Sequence, residues 1–420
     1  MPGKKLIVIG GGAAGFFCAV NAARMNPELQ VVILEKTSKL LSKVRISGGG
    51  RCNVTHACFD IAEMSKKYPR GGNFVKKTFH QFFTTDTIKW FEERGVILKT
   101  EEDGRMFPVT DSSQTIINCL MTEAERYKVA VRVNVEVNSL DVQYQGFPAG
   151  RPGLRVQCSN EEHLDSNFIC IASGGYPKSP MFEWLNELGH TIEEPVPSLF
   201  TFNITGNPIT ELMGVSVERA RVKIAGTKLE QEGPLLITHW GLSGPAVLKL
   251  SAWGARHLAI SKWHFSIMVN WLPPMNEQQL QEKFQSLRFE VAPQKISNKN
   301  PFGLPQRLWE FLLEYSDVNK ERRWADLSVK DQNRLIKNLC NSEFNVQGKT
   351  TFKEEFVTAG GIRLNEIDAN TMMSKKIPNL FFAGEVLDVD GITGGFNFQH
   401  AWTTGYIAAR NISLLSLQAT

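Results

Sequence analysis

The chain lacks any hydrophobic stretch that is long enough and free enough of charge to cross a bilayer. Its seven cysteines are scattered, with no CxxC pair and no zinc-type cluster. Long internal repeats and low-complexity segments are missing as well. These absences argue against a membrane-spanning protein, a disulfide-stapled secreted domain and a zinc module, and the cysteine usage suits a reducing compartment. We expect a cytoplasmic protein that binds neither a membrane nor a metal.

A strong charge of one sign is also missing, because the formal net charge is only +4. That value by itself does not indicate nucleic-acid binding. The distribution says more, since ten Lys and Arg residues lie between Lys36 and Lys77 against two acids, Asp60 and Glu63. Such a local field favours a polyanionic partner, for which ribosomal RNA is a candidate. A second interpretation carries equal weight. In it, some of these cations neutralise the phosphates of a cofactor and the rest form a solvated face.

What the chain does have is a glycine-rich turn at its start. The apolar run Leu6–Ile9 predicts a buried strand, and the glycines after it predict a tight turn into a helix. Gly10 lets the chain reverse, Gly12 lets the backbone approach a pyrophosphate, and Gly15 lets the helix pack on the strand. The helix N-terminus then faces the phosphates. Glu35 ends the next apolar run, about twenty residues after the last glycine, where a ribose-binding carboxylate is expected. The pattern predicts an ADP-ribose-binding βαβ unit.

A second glycine-rich block lies near the C-terminus. The run Leu380–Phe382 predicts a buried strand, Gly384-Glu385 predicts a turn, and the later glycines predict the start of a helix. In flavoproteins with two such segments, this turn meets the ribityl chain and central phosphate, and the helix points its N-terminus at the flavin pyrimidine. Asp390 is the other carboxylate of the block. Paired with the N-terminal turn, the block favours FAD over NAD.

The remaining periodicity predicts an α/β domain with an insertion. Alternating residues over Val129–Val137 and apolar runs at Leu154–Cys158 and Asn167–Ala172 predict further strands, with a hairpin or surface turn at Gly146–Gly153. The segment Ile171–Gly175 is similar to the strand and turn by which such a sheet leaves an FAD domain.

The composition and the predicted secondary structure of the insertion change along its length. From about Pro195 to Trp271, short β-rich runs separated by Gly and Pro predict a small antiparallel sheet or barrel. After the break at Pro273-Pro274, the segment Asn276–Asn341 is charged, glycine-poor and helical in spacing. The chain of 420 residues is long enough for two or three domains, and Gly405–Leu415 predicts a closing helix.

Four separated motifs resemble the HI0933-like flavoproteins, a family of NAD(P)/FAD-dependent oxidoreductases. They are Ile46–Thr55, Gly104–Pro108, Thr238–Pro245 and Val357–Ile362, and they follow one another in order along nearly the whole chain. The family motif often has Arg-Lys before the glycine triplet, where this chain has Lys43-Val-Arg45.

The resemblance implies an α/β fold in which a Rossmann-like FAD-binding domain is interrupted by a β-barrel-like domain and a small helical domain. It also implies reduction of a uridine in large-subunit ribosomal RNA to dihydrouridine for some members, and bile-acid ring reduction for others. The expected boundaries are 1–195 and 355–420 for the FAD-binding domain, 196–272 and 342–354 for the barrel-like domain, and 273–341 for the helical domain.

The loop Ser47–Asn53 has the composition of one that wraps a phosphate or a flavin edge. We favour a cofactor cradle over a direct catalytic role. Cys52 is the exception, because reduction of a pyrimidine C5=C6 bond needs a hydride at one carbon and a proton at the other. A thiol tuned by Arg51 and Arg45 could supply that proton. A buried packing cysteine is the commoner alternative.

His239, beside Trp240, and His400, near Asn397, are further candidate proton donors, although such histidines are more often structural. Arg105 and Phe107 could contact a base or sugar, or form a packed turn. A dithiol relay is disfavoured, because five residues separate Cys52 from Cys58 instead of the four of disulfide reductases. A second GxGxxG motif is missing, so NAD(P)H is expected as a transient electron donor.

The predicted cofactor-binding residues come from the two glycine-rich blocks, the glycine loop and the strand ends beside them. They are Gly10, Gly12, Ala13, Ala14, Gly15, Glu35, Lys36, Ser47, Gly48, Gly49, Gly50, Arg51, Cys52, Asn53, Val135, Ser173, Gly174, Gly384, Glu385, Asp390, Thr393, Gly394, Gly395, Phe396 and Asn397.

The leading hypothesis is a cytoplasmic FAD-dependent oxidoreductase whose reduced flavin hydrogenates an activated C=C bond. By resemblance and by the cationic segment, a uridine of ribosomal RNA is the expected substrate, and the base would have to unstack to be reached. One alternative is an oxidoreductase of a small amine or ring ketone. The other is a flavin-bearing RNA-binding or assembly factor whose redox activity is incidental.

Overall fold

A computed structural model describes residues 4–143, 153–350 and 357–418. Most of the turn predicted at Gly146–Gly153 lies outside these residues. The chain divides into two compact units, the first made of Met1–Ser198 and Lys353–Thr420 and the second of Leu199–Phe352. Among the described residues, no helix combines the length and the apolar character needed to span a membrane.

The strands of the described residues follow in chain order. They are β1 (Lys5–Ile9), β2 (Gln30–Glu35), β3 (Thr55–His56), β4 (Leu98–Thr100), β5 (Arg105–Pro108), β6 (Ala130–Val133), β7 (Val137–Gln143), β8 (Gly153–Cys158), β9 (His163–Ser166), β10 (Phe168–Ile171), β11 (Ile192–Ser198), β12 (Thr201–Asn203), β13 (Ser216–Ile224), β14 (Glu230–Thr238), β15 (Gly241–Ser243), β16 (His264–Asn270), β17 (Ser342–Gln347), β18 (Lys349–Thr350), β19 (Val357–Ile362) and β20 (Leu380–Phe382).

The α-helices of the same residues are numbered likewise. They are α1 (Ala13–Met25), α2 (Ser42–Gly50), α3 (Ile61–Ser65), α4 (Gly72–Phe79), α5 (Thr84–Glu92), α6 (Ser113–Arg126), α7 (Glu183–Glu187), α8 (Pro245–Ile260), α9 (Glu277–Glu290), α10 (Gln306–Tyr315), α11 (Val329–Asn341) and α12 (Phe396–Leu417). Short 3-10 turns occur at Ser179–Phe182, Pro208–Leu212, Trp324–Asp326, Leu364–Glu366 and Gly384–Val386.

The first unit is built on a five-stranded parallel sheet in the order β20-β10-β1-β2-β6. Its central strands are continuous apolar runs because helices cover both faces of such a sheet. The helices α1 and α12 lie very close together, since a Cβ placed on Gly405 would be 2.7 Å from the carbonyl oxygen of Ala14. This sheet confirms the predicted Rossmann-like fold class.

The predicted single strand over Val129–Val137 is wrong. Asn134 has a φ of +57° and ends β6, after which β7 joins a separate antiparallel sheet with β8 and β9. The strands predicted at Leu154–Cys158 and Asn167–Ala172 are confirmed as β8 and β10. The closing helix was predicted too short, because α12 begins at Phe396.

The insertion leaves the first unit and returns to it at neighbouring points. The strand β11, which precedes the insertion, pairs antiparallel with β19, which follows it. Ser198, the last residue of β11, lies opposite Val357, the first residue of β19. The described residues that flank the insertion in the first unit are therefore neighbours.

The second unit contains a seven-stranded antiparallel sheet in the order β17-β16-β13-β14-β15-β12-β18. Its two outermost strands are consecutive in the chain and only Gly348 lies between them. The N–H of Gly348 donates to the carbonyl of Trp263 at 2.8 Å, and its own carbonyl accepts from Asn203 at 3.2 Å. The sheet therefore curls until its edges meet, which confirms the predicted barrel.

Helices complete the second unit. The predicted helical segment Asn276–Asn341 forms α9, α10 and α11, whereas α8 was not predicted. Buried side chains of the barrel, such as Trp271, belong to the same hydrophobic cluster as Trp309 and Trp324 of the helical segment. Barrel and helices therefore share one core.

Candidate cofactor site

The N-terminal turn can be occupied only by glycine at two points. A Cβ on Gly10, where φ is +113°, would lie 2.3 Å from the carbonyl oxygen of Ala172, and one on Gly15 would lie 2.0 Å from that of Gly10. Gly12 differs, because a Cβ there would meet nothing within 4 Å. Gly12 precedes α1 in extended conformation. Open space therefore lies in front of a helix N-terminus whose first N–H groups have no partner in the helix and whose dipole favours an anion.

Glu35 is fixed at the end of β2 by the turn itself. Its Oε2 accepts a hydrogen bond from the N–H of Gly11 at 2.9 Å, and its Oε1 accepts from the N–H and the hydroxyl of Thr37, each at 2.9 Å. Nearby, the N–H of Val135 donates to the carbonyl of Glu35, and the exposed Lys36 lies over the ring of Tyr176. An oriented, half-buried carboxylate at this position can accept hydrogen bonds from a ribose.

The C-terminal glycine block lies directly beside this turn. A Cβ on Gly384, where φ is +77°, would lie 2.8 Å from the Cβ of Ala14. The N–H of Ala172 donates to Ile9, and the N–H of Ala383 donates to Ile171. The carboxyl ends of β1, β10 and β20 therefore meet at one edge of the sheet, which is where ligands bind in open α/β sheets.

Glu385 connects three segments at this edge. Its Oε1 accepts from the N–H of Thr358 at 2.9 Å, and its Oε2 is 2.5 Å from the Nζ of Lys43. Ser173 and Gly174 immediately precede Gly175, where an added Cβ would lie 2.9 Å from Glu385 Oε1. Within the described residues, the buried hydroxyl of Thr358 has no hydrogen-bond partner. An unsatisfied hydroxyl beside a carboxylate fits a site that takes a polar ligand.

The glycine loop comprises residues Ser47–Asn53. It begins within α2, because Ser47, Gly48 and Gly49 depart from helical backbone angles. Gly48, Gly49 and Gly50 have φ values of +60°, +70° and +86°, and added Cβ atoms on the latter two would meet nothing within 4 Å. Arg51 turns towards the protein, because its Nη1 is 2.5 Å from Glu101 and its guanidinium lies 4.0 Å from the ring centre of Phe107. The open side of the loop is therefore lined by backbone and not by the Arg51 charge.

The loop and the C-terminal block are joined at the start of α12. With its amide suitably oriented, Asn53 accepts from the N–H of Gly395 at 2.9 Å and donates to the carbonyl of Thr55 at 3.0 Å. A Cβ on Gly395 would lie 2.5 Å from that same carbonyl oxygen. Asn397 holds the preceding loop by donating to and accepting from the backbone of Gly391. This region presents the positive end of a long helix.

Two residues of this region, His56 and Tyr68, were not predicted from the sequence. The Nδ1 of His56 is 3.0 Å from the carbonyl oxygen of Gly394, and its ring centre is 4.6 Å from that of Phe396. The hydroxyl of Tyr68 donates to the carbonyl of Phe396 at 2.6 Å. His56 immediately follows the motif Ile46–Thr55, and this position was the signal that could have identified it.

Cys52 is fully buried. Burial raises the pKa of its thiol to about 12, against a smaller opposing effect of Ser47. The thiol is therefore neutral at physiological pH and a weak acid, which suits packing better than proton transfer. Its catalytic role stays a prediction.

The two histidines proposed as proton donors have different surroundings. His400 is buried, and burial lowers its pKa to about 4 against a small opposing effect of the Gly384 backbone. Neither of its ring nitrogens has a well-formed hydrogen bond to a described residue. His239 belongs to the second unit, where it is exposed and its ring centre lies 4.2 Å from that of Trp240. Their catalytic roles stay predictions.

Asp390 binds other side chains of the protein. Its carboxylate has no exposed surface and is bound by the guanidinium of Arg70 and by the hydroxyl of Ser198, the latter at 2.8 Å. Burial raises its pKa, and these two partners oppose the rise. The carboxylate therefore lies inside the protein, and its role in binding the cofactor stays a prediction.

The positive charge of the cationic segment Lys36–Lys77 is partly neutralised by carboxylates. Among the described residues, four of its ten cations form ion pairs with carboxylates, namely Lys43, Arg51, Lys66 and Arg70. Five others are exposed side chains, namely Lys36, Lys39, Arg45, Lys76 and Lys77. The exposed set leaves a positively charged surface on the first unit.

The chain matches known proteins over nearly its whole length. The family model described as "HI0933-like protein Rossmann domain" matches residues 4–411. The chain is 28% identical to the 3-dehydro-bile acid delta(4,6)-reductase of Clostridium scindens, over 97% of this chain and 98% of that protein. It is 30% identical to the ribosomal RNA dihydrouridine synthase of Escherichia coli, over 97% of each chain.

A comparison with solved structures agrees on the fold. A 3-ketosteroid delta1-dehydrogenase from Sterolibacterium denitrificans superposes with a TM-score of 0.52 at 13% identity, covering 99% of this chain and all of that one. At this identity the likeness concerns the fold alone.

Proposed function

The chain belongs to the HI0933-like family of FAD-dependent oxidoreductases, and we propose that it reduces a uridine of large-subunit ribosomal RNA to dihydrouridine. One relative is named for making dihydrouridine and the other for reducing a delta(4,6) bile acid. The chemistry common to the two names is the addition of two hydrogens to a C=C bond. The single observation that carries the proposal is the match to the dihydrouridine synthase over 97% of both chains.

The charge distribution favours RNA over a small apolar ring as the substrate. Exposed lysines at positions 36, 39, 76 and 77 lie on the same unit as the candidate cofactor site. Such cations attract the phosphate backbone and supply affinity that does not depend on sequence. A bile acid carries a single carboxylate and does not need so many separate cations.

FAD fits the residues at the edge of the parallel sheet. We propose that the N-terminus of α1 holds the pyrophosphate beside Gly12, that Glu35 binds the ribose, and that the ribityl chain passes Gly384 and Glu385. The isoalloxazine then lies between the glycine loop and the start of α12. When bound, FAD supplies a hydride equivalent, with NAD(P)H as the proposed transient electron donor.

Residues of the glycine loop and of α12 shape the position proposed for the isoalloxazine. The backbone of Gly49 and Gly50 leaves room for a flat ring, because no described atom lies where their Cβ atoms would be. The first N–H groups of α12 can hold negative charge at the adjoining end of the ring. Asn53 and Asn397 keep the two glycine segments in place by the hydrogen bonds described above.

The experiment is mass spectrometry of ribosomal RNA from a strain that lacks the protein. The proposal expects one uridine to lose its two-hydrogen mass increase, and plasmid-borne wild-type protein to restore it. An unchanged modification profile would overturn the RNA substrate and favour a small metabolite. The variant Gly12→Ala, which is expected to lose FAD, should not restore the modification. Rescue of ribosome assembly by that variant would favour the assembly-factor alternative.

A further inference from the structure

We propose that His56 supplies the proton that completes the reduction of the C=C bond. The inference rests on the proposed function, because it names the acid for that reaction. It differs from the earlier candidates Cys52 and His400 in position and in exposure.

The ring of His56 is held at the junction of the two glycine segments. His56 lies on β3 opposite Arg105 of β5. Its Nδ1 is 3.0 Å from the carbonyl oxygen of Gly394, and its ring lies 4.6 Å from Phe396 at an interplanar angle of 30°. The imidazole therefore lies beside the backbone that we assign to the isoalloxazine, where a substrate must approach.

The contact with Gly394 decides which nitrogen can act. A carbonyl oxygen only accepts, so Nδ1 must carry a hydrogen and donate it. The proton that distinguishes the charged from the neutral ring is then carried by Nε2. A Cβ on Gly104 would lie 2.6 Å from Nε2, so glycine at this position, with φ of +85°, leaves that nitrogen its space.

Exposure separates His56 from Cys52 and His400. Cys52 and His400 are buried, and their side chains cannot readily recover a proton from solvent. His56 is half-buried, so part of the residue is in contact with solvent. A general acid that acts in every turnover must be reprotonated, and partial exposure favours this.

The proposed reaction adds two hydrogens to the C=C bond, one as a hydride equivalent and one as a proton. One carbon of the C=C bond receives a hydride equivalent, whose two electrons come from a donor of the reduced nicotinamide class. The π-electron pair forms the second C–H bond with the proton of His56 Nε2, and the N–H bonding pair stays on the nitrogen. The neutral imidazole then regains a proton from water.

The test uses two substitutions with different geometry. His56→Asn retains an amide N–H near the position of Nδ1 and removes Nε2, whereas His56→Gln places an amide near Nε2 that cannot deliver a proton. His80→Asn is the matched control, because His80 is an exposed histidine at the end of α4. Each holoenzyme is assayed for FAD content, thermal unfolding and re-oxidation by O₂ after reduction with dithionite.

The decisive measurement is single-turnover formation of dihydrouridine. Dithionite-reduced holoenzyme is mixed without oxygen with large-subunit ribosomal RNA extracted from the deletion strain. We expect both His56 variants to keep FAD and normal re-oxidation by O₂, which needs no proton at carbon. Their rate of dihydrouridine formation should fall about 100-fold or more, and His80→Asn should match the wild type.

The outcomes separate the two proposals. If the wild-type enzyme forms no dihydrouridine, the proposed function fails and the role of His56 fails with it. If the wild type is active and the His56 variants stay within about threefold of it, the His56 proposal alone is overturned. Loss of FAD or of thermal stability in both His56 variants would also overturn it, in favour of a structural role.

Discussion

Asp390 and Arg70 form an ion pair in which the carboxylate is fully buried and the guanidinium side chain is 13% exposed. A buried charge that loses its partner is strongly unfavourable, because neither water nor another ion replaces the interaction. We therefore expect Arg70→Met to lower the free energy of unfolding by about 3–5 kcal/mol. Denaturant titration measures this.

The matched control for that substitution is Arg155→Met. Arg155 pairs with Asp165 at 2.7 Å, but both side chains are more than a third exposed. An exposed pair contributes about 0–1 kcal/mol. Equal losses in the two variants would contradict the importance assigned to burial at Asp390.

The N-terminal turn provides a pair of substitutions that separates folding from cofactor binding. Gly12→Ala should fold with nearly wild-type stability, because its Cβ meets nothing within 4 Å and its backbone is extended. It should lose FAD, because the new methyl group occupies the space assigned to the pyrophosphate. Gly15→Ala should be destabilised by about 1–3 kcal/mol, because its Cβ overlaps the carbonyl of Gly10. Flavin absorbance and thermal unfolding of purified protein distinguish the two effects, and full FAD occupancy in Gly12→Ala would contradict the site.

Glu35→Gln tests the ribose contact. The amide keeps one acceptor oxygen but loses the charge, and hydrogen bonds to charged groups contribute about 1.5–3 kcal/mol. We expect FAD affinity to fall about 10- to 100-fold with an unchanged circular dichroism spectrum. Titration of the apoprotein with FAD gives the affinity. Glu28→Gln, at an exposed glutamate, should bind FAD as the wild type does, and an unaltered affinity in Glu35→Gln would count against the assignment.

Glu366 makes the first unit sensitive to acid. Burial raises the pKa of its carboxyl, but hydrogen bonds from Lys376, Thr191 and His190 outweigh burial and lower the pKa to about 2. Because the folded-state pKa lies below the unfolded value of 4.5, the contribution of about 3 kcal/mol is complete above that value. It is lost as the pH falls from about 4.5 towards 2.

The variant Glu366→Gln measures this contribution. The difference in unfolding free energy between wild type and variant should be largest near neutral pH and should shrink steadily below pH 4.5. A difference that does not change between neutral and acid pH would show that the carboxylate charge contributes nothing. Glu321→Gln is the control, because Glu321 is 59% exposed in its pair with Lys295.

The cysteines should differ in reactivity towards iodoacetamide. Only the thiolate reacts, and burial that raises the pKa of Cys52 to about 12 leaves almost none of it near neutral pH. Cys58 is half-buried and should be alkylated first. Peptide mass spectrometry of the native protein measures the order in which the cysteines are alkylated. Rapid modification of Cys52 would contradict this expectation and show that its thiol is reactive.

The sequence predicted the parts of the fold that local patterns determine. The glycine spacing from Gly10 to Gly15, the acid at Glu35 and the apolar run Leu380–Phe382 each require a particular backbone conformation or burial, so the parallel sheet could be expected. The break at Asn134 could not, because a single left-handed residue leaves the alternation of apolar side chains intact.

The candidate site was less predictable because its partners are distant in sequence. The carboxylate of Asp390 belongs to a glycine-rich block, and no local pattern shows that Arg70 and Ser198 bind it. His56 is a single histidine beside a motif, and its importance depends on the carbonyl of Gly394, which lies far along the chain. Closure of the barrel at Gly348 likewise depends on strand pairing that no local pattern reveals.

The pairing of Ser198 with Val357 has a consequence for how this architecture can change. Because Ser198 and Val357 lie opposite each other in one strand pair, the chain between them is inserted at a point of the first unit where a hairpin turn could stand. A short turn could substitute for it without stretching the sheet, and a different module could be grafted at the same joint. The strand pair of Ser198 and Val357 therefore offers a joint at which the insertion can be replaced while β11 and β19 stay paired.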